Sequence, residues 1–125
     1  MKLDHATIVT GDLESALRFL CSIVGLCEGP RPPFGAKGHW LYANGQPVIH
    51  LIGASSAESG SPRIDHVGLR VGTAQEWSAL LDRMRCSGIP FELSEVPLSG
   101  ECQLFIKVAP GVVIELVTDQ QPLTP

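Results

Sequence analysis

Leu3-Asp4-His5-Ala6-Thr7-Ile8-Val9 returns as Ile64-Asp65-His66-Val67-Gly68-Leu69-Arg70, which carries the histidine from position 5 to position 66, a shift of 61. Each copy reads as a strand, and each is followed by the punctuation of a helix. In the first, Asp12 can cap a segment with Leu13, Ala16, Leu17, Leu20 and Ile23 at helical spacing, and Gly25 can end it. In the second, Thr73-Ala74-Gln75-Glu76 is a capping box, Trp77, Leu80, Leu81 and Met84 form the apolar stripe, and Gly88-Ile89-Pro90 stops it. Strand-like runs with turn signals come next. Trp40 to Ala43, Asn44-Gly45 and Pro47 to Ile52 are matched by Leu104 to Val108, Pro110-Gly111 and Val112 to Val117.

The pattern is β-α-β-β-β twice. It predicts one α+β domain over residues 1–125, with modules 3–53 and 64–119 and a flexible linker at 54–63. The expected architecture is a curved mixed sheet with the helices on its outer face. Residues 119–125 read as a loose tail. His50 aligns with Glu115, so about four residues are inserted within the second module.

A chain of 125 residues can bury a real core. Its formal charge is −4 and its basic residues are scattered, so the electrostatic footprint of nucleic-acid or anionic-membrane binding is missing. Small molecules are the expected partners. No leader pattern or spanning stretch is evident, which sets the expectation of a cytoplasmic protein. Cys21, Cys27, Cys86 and Cys102 lack metal-site spacing and read as reduced, buried small hydrophobes.

Strand alternation puts Leu3, His5, Thr7 and Val9 on one face and Asp4, Ala6, Ile8 and Thr10 on the other. The same rule gives helix-facing apolar rows at Ile49/Leu51, Leu104/Ile106/Val108 and Ile114/Leu116. Trp40, Tyr42, His50, Phe105, Lys107 and Glu115 are left on the concave side. An apolar wall with a few converging polar groups suits a small-molecule cleft. His5, His50, His66 and Glu115 occupy repeat-equivalent positions and form a nitrogen-oxygen ligand set for one divalent ion: Fe, Zn, Mn, Ni or Co. Glu115 lies within Val-Val-Ile-Glu-Leu-Val, where an unpaired carboxylate is costly. The competing account is a metal-free cleft in which Glu115 pairs with Arg70.

Leu-Asp-His at 3–5, Pro-Val-Ile-His-Leu at 47–51, Ile-Asp-His-Val at 64–67 and Val-Ile-Glu-Leu at 113–116 together resemble the vicinal oxygen chelate superfamily. That superfamily includes glyoxalase I, bleomycin and fosfomycin resistance proteins, methylmalonyl-CoA epimerase and extradiol dioxygenases. The resemblance implies metal ligands on the first and last strand of each module, which are His5, His50, His66 and Glu115. It also implies a metal that chelates two neighbouring substrate oxygens, and a homodimer. This chain has His50 where glyoxalase-like members carry a carboxylate.

Glu115 and His50 are the expected catalytic residues, Glu115 as ligand and proton carrier and His50 as ligand or base. Arg70 and Lys107 are expected to hold an anionic substrate group, with Trp40, Tyr42 and Phe105 as walls. The proline-stiffened segment from Gly29 to His39 has the make-up of an active-site lid, one it shares with surface loops. Three functions are compatible with these residues: a lyase, isomerase or epimerase; an Fe(II) dioxygenase; or a non-catalytic binder that sequesters a drug, as bleomycin-resistance relatives do.

Overall fold

The computed structural model describes residues 1–54, 62–109 and 111–119. Residues 55–61 of the expected linker, Pro110 of the expected turn and 120–125 of the expected tail lie outside the described residues.

Module one comprises β1 (Lys2–Thr10), α1 (Leu13–Arg18) with a π-helical continuation (Phe19–Val24), β2 (Cys27–Gly29), β3 (Gly38–Ala43) and β4 (Gln46–Gly53). Module two comprises β5 (Arg63–Arg70), α2 (Ala74–Ser87), β6 (Glu92–Glu95), β7 (Cys102–Ala109) and β8 (Val112–Thr118). All eight strands join one mixed sheet in the order β2-β3-β4-β1-β5-β8-β7-β6. Within each module the first and last strands pair in parallel, and the modules meet through the antiparallel β1–β5 pair.

The expected caps form. Ser15 N–H donates to Asp12 Oδ1 at 3.1 Å, and Glu76 N–H donates to Thr73 Oγ1 at 3.1 Å. Gly25 and Gly88 end their helices at φ +95° and +74°, which side chains with a Cβ adopt poorly. Asn44-Gly45, with φ +51° and +76°, turns β3 into β4. The four-residue insertion divides in two. Equivalent positions stand 61 apart at the N-caps, 63 at the terminal glycines, and 65 at Trp40 and Phe105, which face His50 and Glu115 in register. Half of the insertion lengthens the second helix and half lies between β6 and β7.

The outer face of module two is a dense core, in which Trp77, Leu81 and Met84 of α2 pack on Val71, Cys102, Leu104 and Leu116. Module one differs. No residue of α1 or its continuation is buried, and Ile23, expected on the buried stripe, is 74% exposed. The wide π turns advance each residue by less than the roughly 100° of an α-helix, so the stripe, half-buried from Leu13 to Leu20, has rotated off the sheet by Ile23. The cysteines are free, but only Cys102 is buried. Cys27 lies on the edge strand β2 and Cys86 in the last turn of α2, and both are exposed. Among the described residues, no helix is long and apolar enough to cross a membrane.

Candidate metal centre

The β1–β5 pairing is interrupted twice, at Asp4 and at Asp65, each directly before a histidine. A bulge adds one unpaired residue and re-aims its side chain. Alternation alone assigns Asp4 to the helix side, but the bulge brings it into the cavity with His5. His5 Nδ1 donates to Asp4 Oδ2 at 2.7 Å and His66 Nδ1 donates to Asp65 Oδ2 at 2.9 Å. Each Asp-His pair thereby holds its ring in one orientation and turns Nε2 towards the site, as carboxylates behind metal-ligating histidines do.

Both Nε2 atoms converge on Glu115, with His5 Nε2 at 3.2 Å and His66 Nε2 at 3.0 Å from Oε1. One ligand atom from each of His5, His66 and Glu115 lies within 4.8 Å of the other two. His5 Nε2 is buried and, despite the 3.2 Å separation, has no hydrogen-bond partner, because the approach lacks hydrogen-bond direction. An orphaned ring nitrogen and a carboxylate aimed at a common point fit a cation, whereas they satisfy one another poorly. Gln103 Nε2 donates to Glu115 Oε2 at 3.1 Å and Thr7 Oγ1 lies 3.0 Å from His66 Nε2.

Backbone register makes room for this. His5 faces Gly68 across the β1–β5 pair, and a Cβ at Gly68 would fall 2.3 Å from His5 Cε1. Only glycine lets the imidazole lie there.

Electrostatics bind the three groups together. Burial alone would lower the His5 pKa, but the hydrogen bond to Asp4 and the adjacent Glu115 carboxylate, with the charges of both, outweigh it and raise it to about 9. His66 is raised against the same burial by Glu115 and Asp65. Burial works to raise Glu115, yet the two imidazoles and Gln103 hold its carboxyl well below the ordinary range.

Of the four expected ligands, three come together and His50 stands beside them. Its ring is sandwiched between His5, with centroids 3.9 Å apart, and Trp40, at 4.1 Å. Its Nε2 donates to the Pro47 carbonyl at 3.2 Å. Burial first, and then the charge on His5, lower its pKa to about 3. The ring is a neutral imidazole whose Nδ1 is an acceptor.

The three-residue group sits in a cavity of about 430 Å³ that Trp40 and Phe105 help to line, as expected. Tyr42 does not line it. A register shift between Leu41 and Tyr42 turns the ring over Gly29, where its hydroxyl donates to the Pro30 carbonyl. Lys107 is also outside: it has the right strand parity but pairs with Val113, one step beyond the rim, and is exposed. Arg70 lines the cavity, but its Nε donates to Asp4 Oδ1 and its Nη1 to Glu101 Oε2, each at 2.8 Å. The alternative Arg70–Glu115 pair is therefore not made. The Gly29–His39 segment supplies Arg31, Phe34 and Ala36 to the lining. Sequence reading gave no weight to Asp4, Asp65, Arg31 or Gln103, although the repeated Asp-His dipeptide was a visible signal for the first two.

The family model described as the Glyoxalase/Bleomycin resistance protein/Dioxygenase superfamily matches residues 2–97. No curated protein sequence matches the chain significantly. Among solved structures, methylmalonyl-CoA epimerase from Mycobacterium tuberculosis is 23% identical with a TM-score of 0.70, the match covering 97% of this chain and 89% of that one. The Mn(II)-bound glyoxalase from Novosphingobium aromaticivorans gives 13% and 0.75, covering 96% of this chain and 38% of that one. A 2,3-dioxygenase from Pseudomonas sp. KL28 gives 17% and 0.76, covering 94% and 40%. At these identities the likenesses speak for the fold: two modules sharing one sheet. With the family model spanning most of the chain, this protein belongs to the glyoxalase/bleomycin resistance/dioxygenase superfamily.

Proposed function

We propose that the chain is a metal-dependent enzyme in which His5, His66 and Glu115 hold one divalent transition-metal ion at the floor of the cavity, and that a small, oxygen-rich substrate binds above it. The observation that carries the reading is the convergence of three ligand atoms within 4.8 Å, each imidazole backed by its own aspartate. When bound, such a metal supplies Lewis acidity to a substrate oxygen pair.

The remaining roles belong to the protein. Trp40 and Phe105 exclude water from the two sides, and Phe105 meets His66 edge-on at 5.7 Å. His50, its Nε2 proton committed to Pro47, offers Nδ1 as a hydrogen-bond acceptor that orients a substrate hydroxyl. Glu115 contributes Oε1 to the ligand set while Gln103 steadies Oε2. A homodimer that covers the edge strands β2 and β6, acting in the cytosol, completes the proposal.

Two-His-one-carboxylate sets with open positions are those of non-haem Fe(II) oxygenases, which favours the dioxygenase branch over lyase or isomerase chemistry. The first test is metal content per chain by plasma mass spectrometry on protein purified without chelator, beside His5→Ala and Glu115→Ala. About one transition metal in the parent and none in the variants is expected, followed by oxygen uptake of the iron-loaded protein with vicinal-oxygen compounds. Less than about a tenth of an equivalent, unresponsive to added Fe, Mn, Ni, Co or Zn, overturns the enzyme reading in favour of a drug-sequestering protein.

A further inference from the structure

The cavity lining contains two guanidiniums with opposite circumstances. Arg70 is shared between Asp4 and Glu101, so its charge is already answered. Arg31, on the β2–β3 connection, has no carboxylate partner among the described residues. Its Nη1 donates to the Ala36 carbonyl at 2.9 Å, its guanidinium carbon lies 5.3 Å from the Phe34 ring centroid, and its Nε is covered and unpartnered. Gly38 leaves open the space beside Nη2, where a Cβ would come within 3.0 Å. This half-buried cation is thus built into place by backbone, ring and glycine without a counter-charge, and its desolvation lowers its pKa.

A bound divalent ion would unbalance the lining as a whole in the same sense. The lining carries three carboxylates, Asp4, Glu101 and Glu115, against Arg31 and Arg70. With a divalent ion on the neutral imidazoles and Glu115, one positive charge is left over, and Arg31 is the group whose charge has no answer.

From this, and resting on the metal-site reading above, we infer that the substrate bears a carboxylate separate from the oxygen pair that meets the metal, and that Arg31 is the residue that recognises it. The role the sequence suggested for Arg70 and Lys107 passes to Arg31 because Arg70 is neutralised and Lys107 lies beyond the rim. A guanidinium held by one Nη and a ring face keeps further N–H groups for a planar anion. Substrates lacking the carboxylate are selected against, since they leave the charge desolvated and unpaired.

The test uses Mn(II)-loaded protein and hydroxamates, which chelate through two oxygens. Calorimetry compares acetohydroxamate with the monohydroxamates of succinic, glutaric and adipic acids, whose pendant carboxylates reach different distances. At least one of the three is expected to bind about tenfold tighter than acetohydroxamate, the scale of a hydrogen-bonded charge pair. Arg31→Gln is expected to bring that compound down to the acetohydroxamate level, and Arg31→Lys to keep part of the advantage. Equal affinity across the series, or an advantage that survives Arg31→Gln, overturns the role of Arg31 while the metal site stands. Failure of the loaded protein to bind even acetohydroxamate overturns the metal-site reading and this inference with it.

Discussion

The two modules share one frame and divide its duties. In module two, Trp77 is 1% exposed beneath α2 and joins a continuous core with Leu81, Leu104 and Leu116. In module one, no residue of α1 or its π continuation is fully buried, and Phe19 and Val24 stand 55% and 53% exposed. The connections between the middle strands differ in a complementary way. That of module one brings Arg31, Phe34 and Ala36 to the cavity, whereas that of module two brings only Val96 and Glu101. A duplicated unit can specialise like this because the sheet itself is common property: one copy supplies most of the packing, and the other builds the wall that meets the substrate.

The largest expected effect breaks that contrast if it fails. Trp77→Ala should cost about 3–5 kcal/mol, a large-to-small change in a packed core. Ile23→Ala, on the exposed side of the π turn, should stay within about 0.5 kcal/mol. Urea unfolding followed by tryptophan fluorescence or far-UV circular dichroism measures both. Since domains of this size are stable by only about 5–15 kcal/mol, the first variant should shift the midpoint severely and the second hardly at all. Comparable losses would mean that the first helix is covered in solution and that the asymmetry is illusory.

Much of this was legible in the sequence, for identifiable reasons. The repeat announced itself because strand, cap, apolar stripe and terminal glycine recur in order, and each forms as read except the end of the first stripe, where Ile23 is exposed. The candidate site was legible because Glu115 sits in an otherwise apolar strand, and such a placement demands partners. What escaped notice was local geometry. The strands Cys27–Gly29 and Glu92–Glu95 are short edge pieces without an alternating apolar face. Nothing in Phe19-Leu20-Cys21-Ser22-Ile23-Val24 distinguishes a π turn from an α turn. The bulges at Asp4 and Asp65 carry no glycine or proline to mark them, and strict alternation therefore misassigned Asp4.

A sharper comparison comes from the centre of the molecule, where Gly68 and Thr7 are equivalent positions in the two modules. Gly68 faces His5 and Thr7 faces His66 across the same pair of strands. Gly68→Ala puts a methyl group where an ideal Cβ lies 2.3 Å from His5 Cε1 and 2.6 Å from Nδ1, so the ring has to leave. Metal affinity, measured by competition with a chromophoric chelator, should fall by more than about a hundredfold, beyond what outer-shell changes cost. Thr7→Ala removes a hydroxyl beside Nε2 and a methyl group, adds nothing that would displace the ring, and should cost less than about tenfold. Wild-type affinity in Gly68→Ala would show that His5 does not ligate from the position it holds.

The smallest effects separate the two Asp-His pairs. Asp4→Asn and Asp65→Asn each keep the size of the side chain and remove its charge, so the ring loses the carboxylate that fixes its proton on Nδ1 while Nε2 remains available. Losses of outer-shell carboxylates typically lower metal affinity by about 10- to 100-fold, and both variants should fall in that range. They should not be equal. Among the described residues Asp65 Oδ1 accepts from the exposed Arg63, whereas Asp4 Oδ1 accepts from Arg70 across the cavity wall. Asp4→Asn therefore unseats a guanidinium as well as an imidazole, and it should lie at the weaker-binding end of the range. If both variants bind metal as the parent does, the aspartates are there for the bulges and not for the histidines. If Asp65→Asn is the weaker binder, then the balance of the site lies with module two, and His66 rather than His5 is the ligand whose orientation limits affinity.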